Sequence, residues 1–470
     1  MLFHSTIFLL LFLSIYLFYW KVPTSYKHFL ILMASFLFYL WYSLSFFLMF
    51  LGLSIINYIV ANFLVVKKSR FLLVSILSLD LSVLFFFKYF YLFSSSIGQI
   101  FGIVYLINIK ENLLKDYNFE ITLPIAISFY TFQIIAYVID CYRGTINEKI
   151  SFKKFIVFIL FFPQFIAGPI LRSSDFIPQI DHPKLDQLKI NIGILLVLLG
   201  IFKKVLIADP IGYFTNPIWN HPTHYDALSY WILIFAFVVQ VYTDFSGYTD
   251  MARGMSKLLG YEIPENFKGP LISSSISELW SRWHITLSSW LRDYVYIPLG
   301  GSRKSEFRTY INLILTMALG GLWHGATWNM AIWGILMGIY LAIERFFSKL
   351  NRNLLPNHFV FFLLKRIYTL FLFSFFAIFF ATPNLENAFV IIKGLVFLPR
   401  GNPFVSYDTV LVLILIGLYL NYIQYNRSLL DRIYKSEKIQ YVLITLGSIL
   451  ILYLLYNYGD LGSSFIYFAF

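Results

Sequence analysis

The chain has 470 residues, 59% of them hydrophobic and 13% charged, with a formal net charge of +12 and a mean hydropathy of +0.73. No soluble core absorbs that much apolar surface, so lipid must solvate much of the chain, and a soluble globular enzyme is excluded. The basic excess is no sign of nucleic acid, because it clusters at Lys67-Lys68-Ser69-Arg70, Lys203-Lys204, Arg303-Lys304 and Lys365-Arg366, which read as short loops of the positive-inside kind.

The apolar N-terminus lacks a basic leader and reads as an uncleaved first span. Between Lys27 and Lys67 there is no charged residue; as one helix that stretch would reach roughly 60 Å, twice the hydrocarbon thickness. It therefore predicts two spans joined near Trp41-Tyr42-Ser43. Runs of spanning character follow at Phe71–Phe87, Ile190–Phe202, Tyr230–Val241, Met330–Ile343, Ile367–Phe380, Val410–Tyr422 and Val442–Tyr456. The pattern predicts an all-α polytopic membrane protein with roughly eleven to thirteen segments, some short or re-entrant. The polar connections near Lys110–Glu120, Arg172–Lys189 and Pro399–Asp408 are too short for separate domains, so residues 1–470 read as one membrane domain.

Lys21 and Lys27 precede the double span, and Lys67, Lys68 and Arg70 follow it, which places both clusters on the cytoplasmic face. Arg427, Arg432, Lys435 and Lys438 form a second basic loop before the last apolar run, which exits at Asp460. Both termini, including the tail 461–470, are then extracytoplasmic, and an even count of about twelve crossings is expected.

Polar residues concentrate between Tyr242 and Thr327. Asp244, Ser246, Tyr248 and Asp250 are followed by Arg253, Glu262, Glu265, Asn266, Glu278, Arg282, Trp283, His284, Arg292 and Asp293. A central Asp or Arg costs about 2.5–3.5 kcal/mol to insert, so this set must line a wet cavity, lie at the interface or pair internally. Asp244 and Asp250 have Arg253, Arg282 and Arg292 as candidate partners. The plainest reading is an ion-pair network, with Trp280, Trp283 and Trp290 in an interfacial belt.

Two histidines stand apart. His284 and His324 each follow a tryptophan, and His324 lies among Gly320, Gly321 and Gly325, which permit close approach of backbone or substrate. An imidazole at bilayer depth is a functional-site candidate, because it moves protons near neutral pH. His4, His28, His182, His221, His224 and His358 read as loop or interface residues. The single cysteine, Cys141, and two distant histidines without a carboxylate or cysteine pattern predict neither a disulfide nor a metal site.

The segments Leu123–Gln133, Phe162–Ile170, Asp244–Asp250, Leu279–Gly301 and Gly320–Thr327, in this order and spacing, resemble the membrane-bound O-acyltransferase (MBOAT) superfamily. The resemblance is to the branch containing the integral membrane subunit of bacterial alginate O-acetylation. It implies a helical core around a central tunnel in the bacterial cytoplasmic (inner) membrane, with His324 catalytic and His284 a second active-site histidine. Asp244, Ser246, Tyr248, Asp250, Arg282, Trp283, Arg292, Trp323 and Asn329 are then candidates for lining the substrate path. It implies no bound cofactor, acetyl-CoA as cytoplasmic donor, and a secreted or membrane-anchored SGNH-type acetyltransferase as partner. The acceptor would be an extracytoplasmic polysaccharide or peptidoglycan.

The ending Phe465-Ile466-Tyr467-Phe468-Ala469-Phe470 resembles a Phe-x-Tyr-x-x-Phe terminus found in this branch and on a small partner of a teichoic-acid D-alanylating relative. That resemblance implies Tyr467 as a covalent acyl carrier, although Ala469 stands where the branch often has Gln. A phenol ester is more activated than a sugar ester, so the hand-off would run downhill. The competing reading of the tail is an aromatic anchor at headgroup level. The competing reading of the whole chain is a transporter or flippase of lipid-linked glycans, which would also need buried charge and a cavity.

Overall fold

The apolar runs become helices, and charge or a capping residue ends most of them. A computed structural model describes residues 3–165, 168–350, 359–397 and 400–458. Among these, regular structure is helical apart from an isolated bridge between Tyr225 and Asn402. Eight helices are long and apolar enough to cross a membrane: Leu44–Val66, Arg70–Phe101, Gln187–Asn220, Ala227–Leu258, Trp328–Leu350, Phe359–Ala381, Tyr407–Tyr425 and Glu437–Leu454. Thr6–Tyr19, Thr24–Leu40, Ile127–Arg143 and Glu306–His324 are shorter or more polar. The charge-free stretch divides where expected. Helices Thr24–Leu40 and Leu44–Val66 meet at Trp41-Tyr42-Ser43, and the Ser43 hydroxyl caps the second by accepting the Phe46 N–H at 3.3 Å.

The chain gathers into two compact units, Leu11–Lys184 and Leu2–Leu10 with Leu185–Phe470. In the first, residues 130–133 pack against residues 164–165. Tyr130 and Phe165 stack nearly parallel, Phe50 meets both, and the Gln164 amide donates to the Gln133 carbonyl at 3.4 Å. His28 is buried in this unit and bonds the Ile180 carbonyl at 2.8 Å, so it is a core residue rather than the expected loop or interface one.

In the second unit, helices 187–220 and 227–258 run antiparallel in close contact. Gly193 faces Gly254 and Gly200 faces Gly247; a Cβ on Gly254 would lie 2.5 Å from the Gly193 oxygen, and one on Gly200 would lie 2.5 Å from the Gly247 oxygen. Small residues at a seven-residue spacing let the backbones touch, as membrane helices require when no hydrophobic effect drives them together. His4, in the turn before helix Thr6–Tyr19, is also buried, against Tyr248 with 3.3 Å between Nδ1 and the phenol oxygen. His182, His221 and His224 do lie in connections.

The close helix pair also overturns the loop reading of Lys203-Lys204. Both lysines are buried, at a π-helical turn (Lys204–Ala208) inside helix 187–220. Lys203 pairs with Asp250 at 2.7 Å; Lys204 bridges Asp209 at 2.7 Å and Asp244 at 2.8 Å. Arg253 joins Asp250 at 3.6 Å, but Arg282 pairs with Glu278 and Arg292 with Asp293, so neither serves the helix carboxylates. Lys365 and Arg366 likewise lie within helix 359–381, where Arg366 stacks on Phe362.

Candidate active site

His324 is the last residue of helix Glu306–His324, whose start is capped by Ser305. Its glycine neighbours serve packing. A Cβ on Gly321 would strike the backbone of the following helix at Met330 and Gly334, and one on Gly320 would meet Leu291 at 3.1 Å. The helix ends at Gly325 and Trp328–Leu350 returns beside it, fixing His324 at the closed end of a helical hairpin.

The His324 ring, 5% exposed, is enclosed by aromatic side chains. Trp323, Trp333 and Phe380 have ring centroids at 5.1, 5.4 and 5.3 Å. It borders a cavity of about 20 Å³ lined also by Phe237, Val241, Trp283 and Phe373, room for roughly one water molecule. A titratable ring in so apolar a setting meets a reacting group with little competing solvent.

His284 is placed differently. It precedes the short helix Ile285–Leu291 with a left-handed backbone, φ 42° and ψ 52°, which costs a non-glycine residue about 1–2 kcal/mol. Asn266 holds the strained turn. Its backbone carbonyl accepts the Ile285 N–H at 3.0 Å, and its side-chain Oδ1 accepts the Thr286 N–H at 3.1 Å and hydroxyl at 3.0 Å. The fully buried imidazole packs edge-on to Phe245 at 4.6 Å and to Trp323 at 5.9 Å. Neither of its ring nitrogens reaches a hydrogen-bonding atom of another described residue. Buried polar groups are satisfied in the great majority of cases, and an orphan costs about 1–3 kcal/mol. Strain and an unsatisfied imidazole together are features typical of sites kept for function.

Trp323 thus touches both histidine rings, and Trp283 shares the His324 cavity. Other sequence candidates lie elsewhere. Asp244 and Asp250 face the buried lysines, and Tyr248 faces His4. Ser246 is buried on the same helix. Asn329 donates to the Thr382 carbonyl at 3.1 Å, Arg282 lies over Tyr425 at 4.4 Å, and Arg292 is largely exposed beside Asp293. Tyr467 lies outside the described residues. The sequence reading passed over the positioning role of Asn266, which only the fold reveals by bringing it to residue 286. It also missed the buried lysines, although the apolar Val205-Leu206-Ile207-Ala208 that follows them was a signal that the helix continues.

Comparison with known proteins places this arrangement in context. The profile of the MBOAT, membrane-bound O-acyltransferase, family matches residues 64–382, which include both histidines. A protein of Azotobacter vinelandii described as a probable alginate O-acetylase is 42% identical over 358 residues, covering 73% of this chain and 69% of the relative. The peptidoglycan O-acetyltransferase of Helicobacter pylori is 34% identical over 417 residues, covering 80% and 75%. The teichoic acid D-alanyltransferase of Bacillus subtilis is 30% identical over 241 residues, covering 49% and 60%. With a family match across more than half its length and relatives this similar, the chain belongs to the membrane-bound O-acyltransferase family and is an acyltransferase.

Proposed function

We propose that this protein is a membrane O-acetyltransferase of the bacterial inner membrane, taking acetyl from cytoplasmic acetyl-CoA for an extracytoplasmic polysaccharide or peptidoglycan. The acetylase names of its relatives support the acyl group and the acceptor class. The observation that carries the reading is the pair of buried imidazoles on either side of Trp323, one at a cavity and one unsatisfied.

In this reading neutral His324 accepts the proton of an attacking hydroxyl as its oxygen bonds the thioester carbonyl carbon. The carbon–sulfur bond breaks and the proton passes on to the departing thiolate. His284 orients the donor through a ring nitrogen that no other described residue engages. The cavity is far smaller than a thioester arm, so donor entry requires Trp283, Phe373 or Phe380 to swing aside. The Tyr467 phenol is the first hydroxyl to be acylated; its ester then passes to a partner of the SGNH acetyltransferase type, which delivers the group to sugar. Both termini face away from the cytoplasm, where that hand-off takes place.

Purified protein in vesicles with radiolabelled acetyl-CoA should release CoA and carry label on the C-terminal peptide. Tyr467→Phe should fold normally, carry no label there and fail to acetylate product. A glycan transporter or flippase would leave acetyl-CoA untouched, and retained acetylation in Tyr467→Phe would remove the relay.

A further inference from the structure

Three cations gather where helices 276–282 and 407–425 end beside helix 359–381. Tyr425, the last residue of its helix, rests on the loop at Gly269, where φ is 64° and a Cβ would lie 2.5 Å from the Tyr425 nitrogen. The Arg282 guanidinium lies over the Tyr425 ring at 4.4 Å. Arg366 lies 5.2 Å from the same ring and donates to its hydroxyl at 3.1 Å. Lys268 is tied to Arg282 in both directions: its N–H donates to the Arg282 carbonyl at 3.0 Å, and its carbonyl accepts from Arg282 Nη1 at 3.1 Å. Beyond Tyr425 the chain enters the basic segment with Arg427, Arg432, Lys435 and Lys438, which the positive-inside rule assigns to the cytoplasm.

Counter-charge is short here. Glu278 takes the Nε of Arg282 at 2.9 Å, and among the described residues no carboxylate pairs with Arg366 or Lys268. Glu265, the next carboxylate along the loop, is already held by Arg253 at 3.1 Å and Arg427 at 2.5 Å. Nη2 of Arg282 and Nη1 of Arg366 meet no acceptor among the described residues. Guanidiniums recognise phosphate oxygens through paired N–H donors, and two of them against one ring are close enough to be bridged by two linked phosphates.

The position of this cluster relative to His324 says which phosphate compound it suits. Arg282 adjoins Trp283, and Phe373 lies two turns from Arg366 on helix 359–381, about 10 Å along the axis. Both Trp283 and Phe373 line the His324 cavity. Phe380, 5.3 Å from the His324 ring, lies two turns further, about 20 Å from Arg366. In CoA the arm from pyrophosphate to sulfur is about thirteen bonds long and reaches roughly 15 Å when extended. A pyrophosphate at the arginines therefore delivers the thioester between Phe373 and Phe380, at the cavity.

We infer that Arg282, Arg366 and Lys268 bind the pyrophosphate of the acyl-CoA donor. This donor site presupposes acetyl transfer from CoA, as proposed above. The test is steady-state cleavage of acetyl-CoA and of S-acetylpantetheine, which keeps arm and thioester but has no phosphate, by the full chain in phosphatidylcholine nanodiscs. Wild-type protein should show a KM for acetyl-CoA at least about 30-fold below that for acetylpantetheine. Arg366→Gln should raise the acetyl-CoA KM about 10-fold, and Lys268→Gln, at an exposed position, about 3-fold. Both losses should be confined to the phosphate-bearing substrate, whereas a distorted cavity would lower kcat/KM for both. Equal losses on the two substrates, or an unchanged acetyl-CoA KM in the folded variants, overturn the proposal. An unchanged KM with loss of a co-purifying phospholipid from Arg366→Gln gives the cations to a lipid headgroup and overturns it too. Wild-type cleavage of both substrates with equal KM removes this site alone; cleavage of neither removes the acetyl-CoA reading and the site with it.

Discussion

Asn266 does at a distance what a single residue rarely can: it stabilises a left-handed histidine eighteen positions away through three hydrogen bonds. Asn266→Ala removes both side-chain bonds from Thr286, at a cost of about 1–3 kcal/mol, and frees the turn to relax. The expected outcome is a fall in kcat/KM for the donor, because the substitution displaces the His284 ring that orients it in the proposed mechanism. Asn266→Asp keeps the acceptor oxygens and should restore part of the rate; steady-state kinetics of the two variants checks this. His284 and His324 are legible in the sequence as candidates from residue type and setting alone. The Asn266 clamp is not, because it depends on a loop folding back over the chain.

Among the helices, the least expected feature is the buried lysine pair. An ion leaving water loses several kcal/mol of solvation, and only a well-placed counter-charge returns it. Lys203→Met strands Asp250 beside Arg253 at 3.6 Å and should destabilise the protein by about 3–5 kcal/mol. Lys203→Met with Asp250→Leu removes both charges and should recover most of that loss, measured as unfolding temperature in detergent. Here sequence reasoning fails for a physical reason. Charge clusters mark helix ends when they meet water, but a lysine whose partner carboxylate lies on the neighbouring helix has no need of water. The division of the Lys27–Lys67 stretch, by contrast, is legible because helix rise and bilayer thickness fix how many residues one span can hold.

At the scale of the whole molecule, the helical membrane architecture follows from hydropathy, and the family follows from motif order. The sizes of the cavities do not follow from either, since they depend on how aromatic side chains from distant helices meet. Orientation rests on the basic loops. Because Cys141 is buried, single introduced cysteines report it cleanly. Ser463→Cys should react with an impermeant maleimide in intact cells, and Arg432→Cys only after permeabilisation; the reverse pattern would invert the molecule in the membrane. The account depends most on His324 moving the proton during acyl transfer. Its most direct test is single-turnover cleavage of acetyl-CoA by wild-type protein and His324→Ala, with matched unfolding temperatures. The account predicts a rate loss of at least about 100-fold in the variant. A folded His324→Ala protein that cleaves acetyl-CoA at the wild-type rate would contradict it.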